Sequence, residues 1–190
     1  MTRESKPPGI EPGKLSSRRI YSGKVLSLDL DEVRFPDGST GKLEMIRHSG
    51  ASGIVPILDM DKPDPEILLI RQYRYATGGY IYEIPAGLLN DGETPEECAR
   101  RELREETGYS AAHFRPLTTI YTTPGFTDEK IHLFAAEGLN PGNEDREPDE
   151  FLELYPVAMS KALAMISAGE IVDGKSIVGL FLVQMIEGRK

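Results

Sequence analysis

Gly87-Leu-Leu-Asn-Asp-Gly-Glu-Thr-Pro-Glu-Glu-Cys-Ala-Arg-Arg-Glu-Leu-Arg-Glu-Glu-Thr-Gly-Tyr109 is the stretch that decides how the rest of the chain is read. It opens as a loop, Gly87 to Gly92, and passes into a helix with strong start signals. Thr94 stands as N-cap, Pro95 takes the first helical position, and Glu97 is placed to close a capping box. Gly108 supplies a stop after Thr107. Glu102, Glu105 and Glu106 relate as i, i+3 and i+4, so their carboxylates emerge on one helical face. Ala99 and Leu103 mark another face, suited to packing.

Like charges at that spacing repel and cost the helix stability. A solvated surface helix alternates signs, which accounts for Arg100, Arg101 and Arg104 but not for the clustered glutamates. The functional reading is that the carboxylates hold a hard divalent cation. Mg2+ takes oxygen ligands, keeps several waters and is often shared with substrate phosphates.

These residues resemble, position by position, the signature of the Nudix hydrolase family. That signature is Gly, five residues, Glu, seven residues, then Arg-Glu-hydrophobic-x-Glu-Glu-x-Gly-hydrophobic. Here it reads Gly87, Glu93, Arg101, Glu102, Leu103, Glu105, Glu106, Gly108 and Tyr109, with Tyr109 the least typical choice. The overlapping Gly87-x-x-x-x-Gly92 has the spacing of a phosphate-binding P-loop. Glu93 stands there in place of the lysine and would repel phosphate, so that reading is rejected.

The chain has 190 residues, enough for one well-packed domain plus a small appendage. Its 31 acidic and 22 basic residues give a net charge of −9, which argues against non-specific nucleic-acid binding. An anionic substrate would then need bridging metal ions and locally placed arginines. The single Cys98 excludes an internal disulfide. No apolar run approaches a transmembrane length and the N-terminus lacks a signal-peptide core, so the default expectation is a cytoplasmic enzyme without membrane partners.

Residues 1–14, rich in Pro and Gly, read as a flexible arm or a strand added to a partner. Residues 15–50 read as a small β domain, with strand text from Arg19 to Phe35, a Pro36-Asp37-Gly38 turn and a return from Lys42 to His48. Residues 51–190 form the main domain. Its expected strands include Ile54–Leu58, Glu66–Tyr75, Tyr80–Ile84, His113–Thr122, Glu129–Glu137 and Phe151–Tyr155. Asp59 to Pro65 reads as a solvated hairpin loop, and Leu139 to Glu150 as a long acidic one. Ser160 to Ala168 has helical periodicity, and Asp173 can cap a last helix. The pattern suggests an α/β or α+β fold; the Nudix resemblance sharpens this to an α/β/α sandwich.

Arg71-Gln-Tyr-Arg74, Glu83-Ile-Pro-Ala-Gly87, Thr123-Pro-Gly-Phe-Thr-Asp-Glu129 and Asp149-Glu-Phe-Leu-Glu153 resemble the ADP-ribose pyrophosphatase and nucleoside diphosphate sugar hydrolase branch of the family. In that branch a proline follows the box, where Pro124 stands, and a small β domain is exchanged across a homodimer, the role that 15–50 would fill. The resemblance implies Glu102 and Glu106 as principal ligands of Mg2+, with Mn2+ as a substitute, helped by the Ala86 carbonyl and by Glu105 directly or through water. Gly87, Glu93 and Arg101 are expected to brace loop against helix. Arg74 is the expected phosphate contact, with Arg71 behind it. Glu83 is left to either the terminal ribose hydroxyls or the opposite subunit. The resemblance also implies an acidic general base from a loop after the main sheet; of Glu144, Asp145, Glu147, Asp149 and Glu150, Glu147 is favoured, then Glu150. His48, His113 and His132 show no metal-ligand spacing and are read as structural.

The expected function is Mg-dependent hydrolysis of the diphosphate of ADP-ribose to AMP and ribose 5-phosphate. The alternative within the class is a broader nucleoside diphosphate sugar hydrolase acting on GDP-mannose or UDP-glucose. From another class comes a nucleotide-sensing Nudix module without turnover. A degenerate sensor would be expected to lose metal carboxylates, and none is missing.

Overall fold

The computed structural model describes residues 11–59, 62–143 and 151–187. Backbone contacts divide the chain into two units. One runs to Ser49 and also takes in Thr123–Glu129; the other comprises Gly50–Thr122 and the chain from Lys130 onward.

The first unit is an antiparallel sheet of β1 (Gly13–Ser22), β2 (Leu26–Arg34) and β3 (Thr40–His48), in that order. The strand-like text from Arg19 to Phe35 holds the end of β1 and all of β2, joined by a turn that the Gly23 amide closes by donating to the Leu26 carbonyl at 2.9 Å. β1 begins two residues inside the stretch read as an arm. At the next turn Gly38 adopts φ 87°, open to glycine without penalty, and the Asp37 carboxylate accepts from the Ser39 amide and hydroxyl. Asp29 and Asp31, both buried on β2, are tied by Arg47, whose Nη1 also reaches Asp128 at 3.1 Å. Ile46 and Asp128 add backbone bonds, so Thr123–Glu129 is held to this sheet although it was expected within 51–190.

The second unit is built on a seven-stranded sheet. Its members are β4 (Ala51–Asp59), β5 (Glu66–Arg74), β6 (Gly79–Glu83), β7 (Ala86–Leu88), β8 (Tyr109–Tyr121), β9 (Lys130–Pro141) and β10 (Leu152–Ala158). The main order is β10-β5-β4-β9-β8, with β6 on β5 and β7 on β4; only β4 and β9 run parallel. β9 extends to Pro141, into the stretch expected as loop. Past Ala136 its pairing is with β8, so a proline there removes no bond to β4.

Strand alternation sorts the core into two layers. Val55, Ile57, Leu133 and Ala135 face α2 (Met159–Ser167) and α3 (Gly174–Glu187), joining Met165, Leu180 and Val183. Ile54, Phe134 and Ala136 face α1 (Pro95–Thr107), where Ala99 and Leu103 meet them. Helices on both faces make the α/β/α sandwich, and they explain why β4 is buried from Ala51 to Ile57. No described helix is long and apolar enough to cross a membrane.

Both late helices borrow or supply caps. Ala158 has no side chain to cap α2, and Asp64 of the β4–β5 loop does so instead, accepting from the Ser160 amide at 3.0 Å and hydroxyl at 2.6 Å. At α1 the capping box is complete: Thr94 accepts from the Glu97 amide while Glu97 accepts from the Thr94 amide, and Gly108 ends the helix at φ 75°. Thr94→Ala is expected to lower stability by about 1 kcal/mol. Urea unfolding should show it as a lower midpoint at unchanged slope; an unchanged midpoint would mean that tertiary packing alone sets where α1 begins.

Candidate active site

Two adjacent rows of α1 are buried. Ala99, Leu103 and Thr107 face the sheet; Cys98, Glu102 and Glu106, four residues apart, face β7 and the loop after it. Glu102 and Glu106 are 7% and 2% exposed, which is unusual for carboxylates. Their surroundings show how this is possible. Glu106 accepts a hydrogen bond from the Ala86 amide at 3.0 Å. Glu102 lies so close to Gly87 that a methyl group there would occupy the space of its carboxyl carbon and both oxygens. Gly87 is required for this close approach.

Arg101 ties loop to helix. Its Nε and Nη2 form a fork on Glu93 at 2.8 and 2.9 Å, and Nη2 also donates to the Leu88 carbonyl at 2.9 Å. Its Nη1 bonds Glu102, and Glu105 at 3.0 Å. The hydrogen bonds from Arg101 hold the Glu93 carboxyl below its usual range, and those same bonds push Arg101 up. Glu105 sits at the edge of the buried face and also pairs with Arg104. Arg101 thus pairs with Glu93, Glu102 and Glu105, and Arg104 with Glu105. Cys98, below them, has its thiol pushed up to about 11 by burial, so it is a packing group.

A second charged cluster lies where β5, β6 and the start of α3 meet. Arg74 donates to Glu83 through Nε at 3.1 Å and Nη2 at 2.7 Å. Lys175 donates to Glu83 at 2.9 Å and to Asp173 at 3.0 Å. Asp173 also caps α3 by accepting from the Ser176 amide and hydroxyl, and Ser176 Oγ accepts from the Ile84 amide at 2.8 Å. Burial pushes the Glu83 carboxyl up, but hydrogen bonds from Arg74 and the charge of Lys175 outweigh it and leave the group below its usual value. Arg74 also feels the charges of Glu106 and Asp173, so the two clusters are electrostatic neighbours.

Sequence reading missed Lys175. Its one signal was its place just after the expected cap, Asp173. Arg71, three residues before Arg74 on β5, is brought elsewhere: it bonds Glu153 at 3.2 Å and stacks over the Tyr80 ring at 4.5 Å. Gln72 between them keeps a buried side-chain oxygen without a partner among the described residues. Pro124 falls in the Thr123–Glu129 segment of the first unit. Glu144, Asp145, Glu147, Asp149 and Glu150 lie outside the described residues. His132 bonds Thr119 at 2.9 Å, and burial lowers its pKa.

Among the described residues no three His, Cys, Asp or Glu side chains converge as a ready metal cluster. On α1 the Arg101 guanidinium bonds both Glu102 and Glu105. The donor set nevertheless suits a hard cation: two buried carboxylates on one helix row, with backbone at Ala86–Gly87 brought against them. Mg2+ is commonly held by one or two carboxylates with waters and substrate phosphates completing the shell.

Comparison with known proteins agrees with this geometry. A family model described as the NUDIX domain matches residues 47–172. An ADP-ribose pyrophosphatase of Bacillus subtilis is 38% identical over 94% of this chain and 95% of its own. A GDP-mannose pyrophosphatase of Yersinia enterocolitica is 40% identical over 68% of this chain and 72% of its own. A crystal structure described as an ADP compounds hydrolase superposes with a TM-score of 0.80 at 23% identity, covering 95% of this chain and 96% of that one, a likeness of fold. With its signature residues gathered at one loop and helix, and a family model spanning more than half of its length, the chain belongs to the Nudix hydrolase family.

Proposed function

We propose that this enzyme hydrolyses the diphosphate bond of ADP-ribose, giving AMP and ribose 5-phosphate, with Mg2+ as cofactor and Mn2+ as a substitute. The observation that carries the reading is the buried Glu102–Glu106 row set against Gly87 and Ala86. Two like charges a helical turn apart at a buried site are costly, and a divalent cation between them would offset that cost. Glu102, Glu106 and the Ala86 carbonyl would hold that cation, with Glu105 at its edge. The bound ion would neutralise the diphosphate and acidify a water.

The remaining roles fall to the chain's own groups. Gly87, Glu93 and Arg101 hold the loop and helix in register. Arg74 uses Nε and Nη2 on Glu83, which leaves Nη1 for a phosphate oxygen. Glu83 is 3% exposed and takes part through Arg74. Arg71, stacked on Tyr80, is the next cation along β5. Glu147, or else Glu150, is the proposed general base, taking a proton from the attacking water.

Similarity to an ADP-ribose pyrophosphatase over nearly the whole chain favours that substrate. Similarity to a GDP-mannose pyrophosphatase supports the broader sugar-nucleotide reading as the alternative. We also propose a cytoplasmic homodimer formed through the small β domain. In support, β1 is exposed along its full length and presents Leu15, Ile20 and Tyr21 at 45%, 47% and 58% exposure.

Product analysis with Mg2+ on ADP-ribose, GDP-mannose and UDP-glucose tests the proposal. ADP-ribose should be preferred and yield AMP. Preference for another sugar nucleotide would replace the substrate, and absence of any hydrolysis would sink the enzyme reading. Glu106→Gln should lower kcat by about a hundredfold or more. It should also abolish the rise in Tm that Mg2+ produces in the wild type, since ligand binding to the folded state is what raises Tm. Gly87→Ala, which forces the Glu102 carboxylate aside, should cost about a hundredfold in kcat, the scale of a misplacement near 1 Å.

A further inference from the structure

Glu83 is nearly inaccessible, with a side chain 3% exposed, yet it meets two cations. One would suffice to compensate it. Arg74 forks onto it from β5 with a side chain 39% exposed, and Lys175 reaches it from α3 with a side chain 11% exposed. Lys175 is shared with Asp173, so the four groups are neutral together. The two cations therefore differ: the lysine is enclosed, whereas the arginine opens outward.

That difference has a consequence for any movement of Arg74. If Arg74 were the sole partner of Glu83, turning its guanidinium toward a phosphate would strand a buried carboxylate, which is strongly unfavourable. With Lys175 in place Glu83 keeps a compensating charge throughout. Arg74 is then free to share its donors with an anion.

We propose that Lys175 is a positioning residue for the substrate diphosphate, compensating Glu83 so that Arg74 can engage phosphate. This rests on the reading of Arg74 as the phosphate contact. Lys175 itself touches no substrate. It acts from the start of α3, held by Asp173, on a side chain 92 positions earlier in the chain.

The test is calorimetric binding of ADP-ribose to the full chain in EDTA, where turnover does not intervene. Lys175→Met should weaken Kd about tenfold, the scale of one charge-assisted hydrogen bond. Lys175→Arg should restore it. An unchanged Kd in Lys175→Met, with only Tm lowered, would make the lysine a mere strut and overturn the proposal. Because Lys175→Met leaves Glu83 with Arg74 alone and takes a partner from Asp173, it can impair folding; Glu83→Gln is therefore compared with Glu83→Gln/Lys175→Met, in which position 83 carries no charge. The two should agree within about twofold, as coupled sites do once their interaction is removed; a further loss of about tenfold in the double variant would show that Lys175 acts other than through Glu83 and would overturn the proposal. Arg74→Met separates the two readings. If it leaves Kd unchanged, the phosphate contact itself fails and the proposal with it. If it weakens Kd while Lys175→Met does not, the phosphate contact stands and the role of Lys175 alone is lost.

Discussion

The approach of bare backbone at Gly87 to the Glu102 carboxylate is the constraint on which the site depends. No side chain can stand between loop and helix there. The contact is held from three sides. β7 is hydrogen-bonded into the sheet beside β4, the Ala86 amide donates to Glu106, and Arg101 grips both Glu93 and the Leu88 carbonyl. Loop and helix are thereby fixed to the same rigid sheet, and the carboxylates inherit its precision. Sites carried on sheet and helix hold their geometry better than sites on free loops.

This arrangement does not serve stability. Buried carboxylates lose hydration, and like charges on one helix row repel. The Ala86 amide and Arg101 offset part of that cost. The Arg74–Glu83–Lys175–Asp173 cluster is the opposite case: its charges balance, and its bonds link β5, β6 and α3. In the proposed reading the first cluster would hold a cation and the second would present the Arg74 guanidinium to the substrate. A diphosphate carries the charge that would bring the two together.

Much of the site was legible because its logic is local. Thr94, Pro95, Glu97 and Gly108 bound α1 through contacts within one turn, and helical periodicity alone places Glu102 and Glu106 on one row. The same periodicity put Glu105 with them, whereas packing leaves it at the edge, paired with Arg101 and Arg104. Turn-forming Asn140 and Pro141 read as loop, but pairing with β8 carries them into β9. Local preference yielded to a strand partner.

By itself the sequence determined the family, the helix with its caps, and the shared helical row of Glu102 and Glu106, since each depends on residues a few positions apart whose geometry the backbone dictates. Only the tertiary structure decided which partners meet across the chain. Lys175 joins Glu83 over 92 positions, Asp64 caps α2 over 96, and Arg47 captures Asp128 over 81. Such pairings follow from strand order and layer packing, and charge or periodicity along the chain carries no trace of them. The enclosed lysine beside Glu83 is therefore a property of the fold, set by where α3 begins against β6.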